Sequence, residues 1–110
     1  MINMGEVILQ DVPFGGEETE VKNPMIRYAF YYEDILLGFL HIRDGLYCYI
    51  PEAEGVKKVW DHVPLTREML DGRDWGKPIP FFQERIENAQ RFGMEKCIRY
   101  HTDLFVMRML

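Results

Sequence analysis

The chain has 110 residues, 47% hydrophobic and 28% charged, with a net charge of −5. That length supports a single domain, 1–110, around one core, and that balance excludes a disordered chain. The acidic total also excludes broad attraction to nucleic acid, which needs clustered Lys and Arg.

From the N-terminus, Glu6 to Val12 reads as a first strand, closed by Pro13 and the Gly15-Gly16 pair. Residues 14–24 combine glycines, acids and an Asn23-Pro24 step, the composition of a mobile acidic loop. Residues 25–50 read as three strands joined by two tight turns and hold five of the six tyrosines. Asp44-Gly45 between apolar runs suits a two-residue turn whose central residues take positive φ. Glu33-Asp34 is a weaker turn signal that leaves a longer connection open, because neither residue takes positive φ as easily as glycine.

Residues 51–78 are broken by Pro51, Pro64 and Pro78 and by Gly55, Gly72 and Gly76. Within them Val56 to Trp60 reads as a strand or a short turn, and Thr66 to Leu70 as one helical turn with Thr66 as its N-cap. The best helix pattern runs from Pro80 to Gly93, where Phe82, Ile86, Ala89 and Phe92 share a face expected to be buried. Pro80 suits its first turn, Glu87 and Arg91 form an i,i+4 pair, and Gly93 suits the position beyond its end. Lys96 to His101 and Leu104 to Leu110 read as two strands around Thr102-Asp103, or as one long bulged strand. The expected fold is α+β, an antiparallel sheet of five or six strands with one main helix, residues 80–92, packed on one face.

Chemistry is sparse. There is no phosphate loop, and none of His41, His62 and His101 has a second histidine three to five residues away. Cys48 and Cys97 stand alone and read as reduced, buried small hydrophobes, with a disulfide between neighbouring strands as the rival. The carboxylates of Glu52, Glu54, Asp61, Asp71 and Asp74 solvate a loop-rich surface unless the fold sets two of them across a cleft. Asp61 and His62 would point to opposite sides of an extended chain. No catalytic, cofactor-binding or metal-binding residue is assigned, no cofactor is expected, and binding is preferred to catalysis.

Candidate binding residues are aromatic: Tyr28, Phe30, Tyr32, Tyr47 and Tyr49 on the sheet, with Trp60, His62 and Trp75 in the irregular region. The sheet aromatics share their residue type with platforms that stack single-stranded nucleic acid, but such platforms need flanking bases. Here only Arg27 and Arg43 stand against Glu33, Asp34 and Asp44, so core or interface is expected and nucleic acid is not. Trp60 reads as a cap on the core and Trp75 as an exposed anchor. A basic set, Arg85, Arg91, Lys96, Arg99 and Arg108, is largely offset in sequence by Glu84, Glu87 and Glu95.

Leu37-Gly38-Phe39-Leu40, Tyr49-Ile50-Pro51-Glu52, Pro64-Leu65 and Pro80-Phe81-Phe82 fall in an order that resembles the small β-rich N-terminal subdomain of HipA-type toxin kinases. The leucine- and proline-rich turn of that family is replaced by Gln83 to Glu87, and these residues hold no kinase body. The resemblance is therefore set aside, and what it implies is a binding module without catalysis.

No apolar run approaches the roughly 20 residues of a membrane helix, and Met1 to Glu6 lacks the pattern of a secretion signal, so the expected address is the cytoplasm with no membrane partner. The leading expectation is a protein-interaction or assembly module, a homo-oligomer and in the simplest case a dimer, with a protein partner as the other form of assembly. Its basis is apolar surplus: the two apolar sides of 25–50 and the strand Leu104 to Leu110 exceed what one helix covers. The alternative is a small enzyme or ligand-binding domain with a pocket between the sheet and residues 51–78, lined by Trp60, His62, Tyr47 and Tyr49. A third reading is an acidic decoy that competes with nucleic acid for a basic partner.

Overall fold

A computed structural model describes residues 24–110 apart from His101. The strand expected at 6–12 and all of the acidic loop expected at 14–24 except Pro24 lie outside the described residues. Among these, β1 (Ile26–Tyr32), β2 (Ile35–Arg43) and β3 (Leu46–Pro51) form the meander, followed by α1 (Ala53–Val59), α2 (Arg67–Asp71) and β4 (Arg73–Gly76). Then come α3 (Pro80–Arg91), β5 (Cys97–Arg99) and β6 (Phe105–Met109). The six strands make one antiparallel sheet in the order β4-β3-β2-β1-β6-β5. The fold is α+β, with α3 as the main helix on one face.

Both hairpin turns have two residues. Asp44 and Gly45 take φ of 55° and 76°, as their composition requires. At the other turn Tyr32 pairs directly with Ile35, so the longer connection is not used. Glu33 accepts a φ of 55°, and its N–H donates to the Leu104 carbonyl at 2.8 Å. A long-range bond thus accompanies the conformation that glycine would adopt more readily.

Residues 51–76 are more regular than their prolines and glycines suggest. Val56 to Trp60, expected as a strand or short turn, instead lies in and just beyond α1, with Glu54 in its first turn and Lys57 and Lys58 in its last. That distribution complements the helix dipole. Thr66 caps α2 as expected, its Oγ1 accepting from the Met69 N–H at 3.3 Å. β4 pairs with β3 through Tyr47–Gly76 and Tyr49–Arg73, a bulged register that no alternation in Arg73-Asp74-Trp75-Gly76 announces.

α3 buries Phe82, Ile86 and Ala89, but Phe92 is 72% exposed, against expectation. Phe92 caps the helix with φ −109°, so it has left the helical register that would have kept it on the inner face. Ile86→Ala is expected to cost about 2–4 kcal/mol. Phe92→Ala should stay within about 0.5 kcal/mol, as a surface change does. Urea unfolding of the two variants checks both; equal losses would contradict this assignment of faces.

The core lies on one side of the sheet. Tyr28, Phe30, Leu40 and Tyr49 meet Val59 of α1, Met69 of α2, and Phe82 and Ile86 of α3 in one cluster. Phe105, Met107 and Ile98 extend it across β6 and β5. Among the described residues, no helix is long and apolar enough to cross a membrane.

Candidate functional site

The eight aromatic and histidine residues expected to form a surface do not lie together. Tyr28, Phe30, Tyr47 and Tyr49 are buried and Tyr32 is half-buried, all on the sheet face beneath the helices. Phe30 and Tyr49 meet at a ring distance of 6.2 Å, and Tyr49 stacks on Phe82 at 5.2 Å. Tyr49 also crosses Gly38, where an added Cβ would lie 2.6 Å from the phenol Cζ and equally close to the Ile50 carbonyl. These rings are therefore core. Trp60 is 61% exposed rather than a core cap, because the chain turns away at the end of α1; Trp75, at 43%, is exposed as expected.

His62 is also exposed, so no pocket gathers Trp60, His62, Tyr47 and Tyr49. A cleft of about 460 Å³ does separate the sheet from α1, but Asp34, Glu52, Glu54 and Lys58 line it instead. His62 Nδ1 lies 2.9 Å from Asp61 Oδ1, since a turn rather than an extended chain brings the neighbours to one side. That hydrogen bond holds the Asp61 carboxyl below its usual range. Both groups face solvent.

Burial pushes the Tyr47 phenol up to about 12, with Glu87 and Tyr28 adding to the rise. Burial drives Tyr49 higher still, and raises Tyr28 with help from Glu95. All three are thus held neutral by the fold, while an unfolded tyrosine ionises near pH 10. Their contribution to stability is complete below about pH 10 and is lost as pH rises through the folded values. Alkaline titration should show their phenolate absorbance appearing together with loss of circular dichroism. Ionisation of all six tyrosines before any unfolding would contradict it.

The opposite face of the sheet carries the residues that alternate with the core. Registered rows run Cys97–Arg108–Ala29–Phe39–Ile50, Arg99–Val106–Tyr31–Leu36, and Arg27–His41–Cys48. Among the described residues, no helix contributes a side chain to this face. Ala29 and Val106 are buried, Tyr31, Phe39 and His41 are half-buried, and Leu46 and Ile50 are exposed. The face is unequally charged: Arg27, Arg99 and Arg108 lie on β1, β5 and β6, while Leu46 and Ile50 lie on β3, where Arg43 stands opposite Leu46 and Asp74 and Arg73 of β4 act on Cys48. Asp74 of β4 lies near enough to Cys48 to raise its thiol pKa, after burial and against Arg73. Burial, then Arg27, lowers the His41 pKa.

Both cysteines are free and half-buried. Cys48 on β3 and Cys97 on β5 are four strand intervals apart, roughly 19 Å at ordinary spacing. A disulfide spans less than about 7 Å between Cα atoms, so this sheet order rules out the neighbouring-strand bridge. With its pKa raised, Cys48 is also a poor nucleophile. No cluster of three or more metal-ligating side chains occurs among the described residues.

A second cleft, of about 580 Å³, lies between the last turns of α3 and the edge strand β5. Its centre is Arg85, 8% exposed, whose guanidinium is sandwiched between the rings of Phe81 at 3.6 Å and Tyr100 at 4.3 Å. Arg85 donates to the Phe81 carbonyl at 3.3 Å and pairs with Asp103, while its Nε has no partner among the described residues. Asn88 Nδ2 donates to the Tyr100 hydroxyl at 2.8 Å. The Arg85 position was missed in sequence because a helix pattern read by hydrophobicity gives arginine to solvent. Its signal was the spacing to Phe81, four residues before it on the same side.

No family model, curated protein or solved structure matches the chain.

Proposed function

We propose that the chain is a small cytoplasmic protein-interaction module that self-associates through the open face of its sheet. The observation that supports this reading is the unequal chemistry of the two ends of that face. A two-fold axis parallel to the strands would lay the arginine-bearing β5-β6 end of one copy over the apolar, Asp74-bearing β3-β4 end of the other. An axis across the strands would set arginine against arginine, so charge selects the first arrangement. Phe39 and Ile50, adjacent in register, would lie near the centre of the contact.

Ile50→Arg tests the reading, because Ile50 is exposed in the single chain and should not disturb folding. Sedimentation of the parent chain should show a dimer, weakened about tenfold or more by the substitution, a loss of at least about 1.4 kcal/mol. Unchanged circular dichroism would confirm that the fold is intact. A parent chain that remains monomeric at high concentration would overturn the proposal.

A further inference from the structure

We infer that the cleft between α3 and β5 is a binding site for a small amphipathic anion, a carboxylate, sulfonate or phosphate carried on an apolar body. In sequence the bases of this segment are offset by nearby acids. The fold separates them. Arg85, Arg91 and Arg99 line this cleft, whereas Glu87 and Glu95 line the groove on the other flank of α3, beside Tyr28 and Tyr47. Among the described residues that line the cleft, none is acidic. An acidic chain has thus been folded so that one cavity is lined by three arginines.

The arginines are not equivalent. Asp103 neutralises Arg85, and the Phe81 and Tyr100 rings hold its guanidinium in place. Its buried Nε lacks an acceptor among the described residues. Arg91 is exposed and stands at the rim, while Arg99, also exposed, borders the cleft from the edge strand although its place in the alternation is on the open face. Beside them Asn88 and the Tyr100 hydroxyl, already bonded to each other, offer a fixed polar pair. Phe92 and Met94, both strongly exposed, supply an apolar wall, which gives the misplaced Phe92 of α3 a role outside the core.

The volume falls within the roughly 300–1,000 Å³ of small-ligand sites. A strand-like peptide partner is disfavoured, because β5 spans only Cys97–Arg99 and offers a short edge for pairing. The chemistry therefore selects a small molecule with a charged head for Arg91 and Arg99 and an apolar body for Phe92 and Met94.

Anilinonaphthalene sulfonate, a fluorescent anion with an aromatic body, is a direct probe of the full chain, with octanoate and inorganic phosphate as competitors. Saturable binding is expected, displaced by octanoate at lower concentration than by phosphate. The double substitution Arg91→Glu with Arg99→Glu should weaken probe binding about tenfold or more, as loss of charge-assisted contacts does. Arg43→Glu, at the distant hairpin tip, should leave it unchanged. Binding within about twofold of the parent in the double variant would overturn the inference. Phosphate displacing as well as octanoate would overturn the amphipathic assignment. Thermal unfolding of the double variant distinguishes a lost site from a lost fold, and Phe92→Ala, also exposed, gives a second weakening that does not depend on charge.

Discussion

Phe30→Ala is expected to destabilise the domain by about 4 kcal/mol, among the largest effects of any single truncation. Phe30 is fully buried and is the hub of the aromatic core. It stacks on Phe105 at 5.2 Å and meets Phe82, Phe81 and Tyr49 edge-on at 5.0, 5.8 and 6.2 Å. Those partners come from β6, α3 and β3, so one ring ties together elements far apart in the chain. Removing it opens a void between rigid rings that close poorly, and the cost combines lost transfer energy with the residual cavity. The measurement is a urea midpoint with the slope unchanged. Tyr31→Ala, one residue on and on the opposite face, should lose far less. A Phe30→Ala loss below about 1 kcal/mol would contradict the hub.

The second large effect is at Gly55. In an exposed helix, Gly→Ala stabilises by roughly 0.5–1 kcal/mol. Here the sign should reverse, with a cost of about 3 kcal/mol. An added Cβ would overlap the Leu36 carbonyl oxygen and lie 2.8 Å from the Leu36 carbonyl carbon, both backbone atoms that cannot swing aside. α1 would have to lift from β2, straining the 2.7 Å bond from the Glu52 N–H to the Leu37 carbonyl and withdrawing Val59 from the core. Unfolding of Gly55→Ala beside the parent settles the sign: any gain in stability would show that α1 does not pack against β2 through this residue.

Gly55 also illustrates why part of the fold was not legible. In sequence it reads as a breaker within a proline- and glycine-rich stretch, which argued against a helix over 53–59. Its actual role is to let a helix backbone approach a strand, a requirement that only the facing strand imposes. β4 was hidden for a related reason: its four residues pair with β3 through a bulge and show no alternation. Phe92 and Trp60 erred in the same direction. Phe92, on a helical face, and Trp60, at the end of an expected strand or short turn, both read as core, but each lies where the chain leaves its helix.

The candidate sites follow the same division. Alternation within 25–50 showed that both sides of the meander are apolar, and α3 now accounts for one of them. The aromatic residues that drew attention first, Tyr28, Phe30, Tyr47 and Tyr49, belong to that covered side. The open face consists of the less conspicuous alternate positions, Arg27, Tyr31, Phe39, His41 and Ile50, together with Arg99 and Arg108 from strands about 60 residues later. The arginine cleft was further from view, because Glu87 and Glu95 cancel its charge in any count along the chain.

By itself the sequence determined what depends on local forces. Period-two and helical patterns set the class, Asp44-Gly45 set a turn, Thr66 set a cap, and Pro80 and Gly93 set the limits of α3. Tertiary structure alone decided what depends on distant neighbours: which face of the meander is buried, that Glu33 can hold a turn, that Cys48 and Cys97 lie too far apart to bond, and that Glu87 and Glu95 line one flank of α3 while Arg85 and Arg91 line the other. Local preference acts over a few residues, whereas burial and charge segregation depend on how the strands are ordered, and no short window of sequence contains that order.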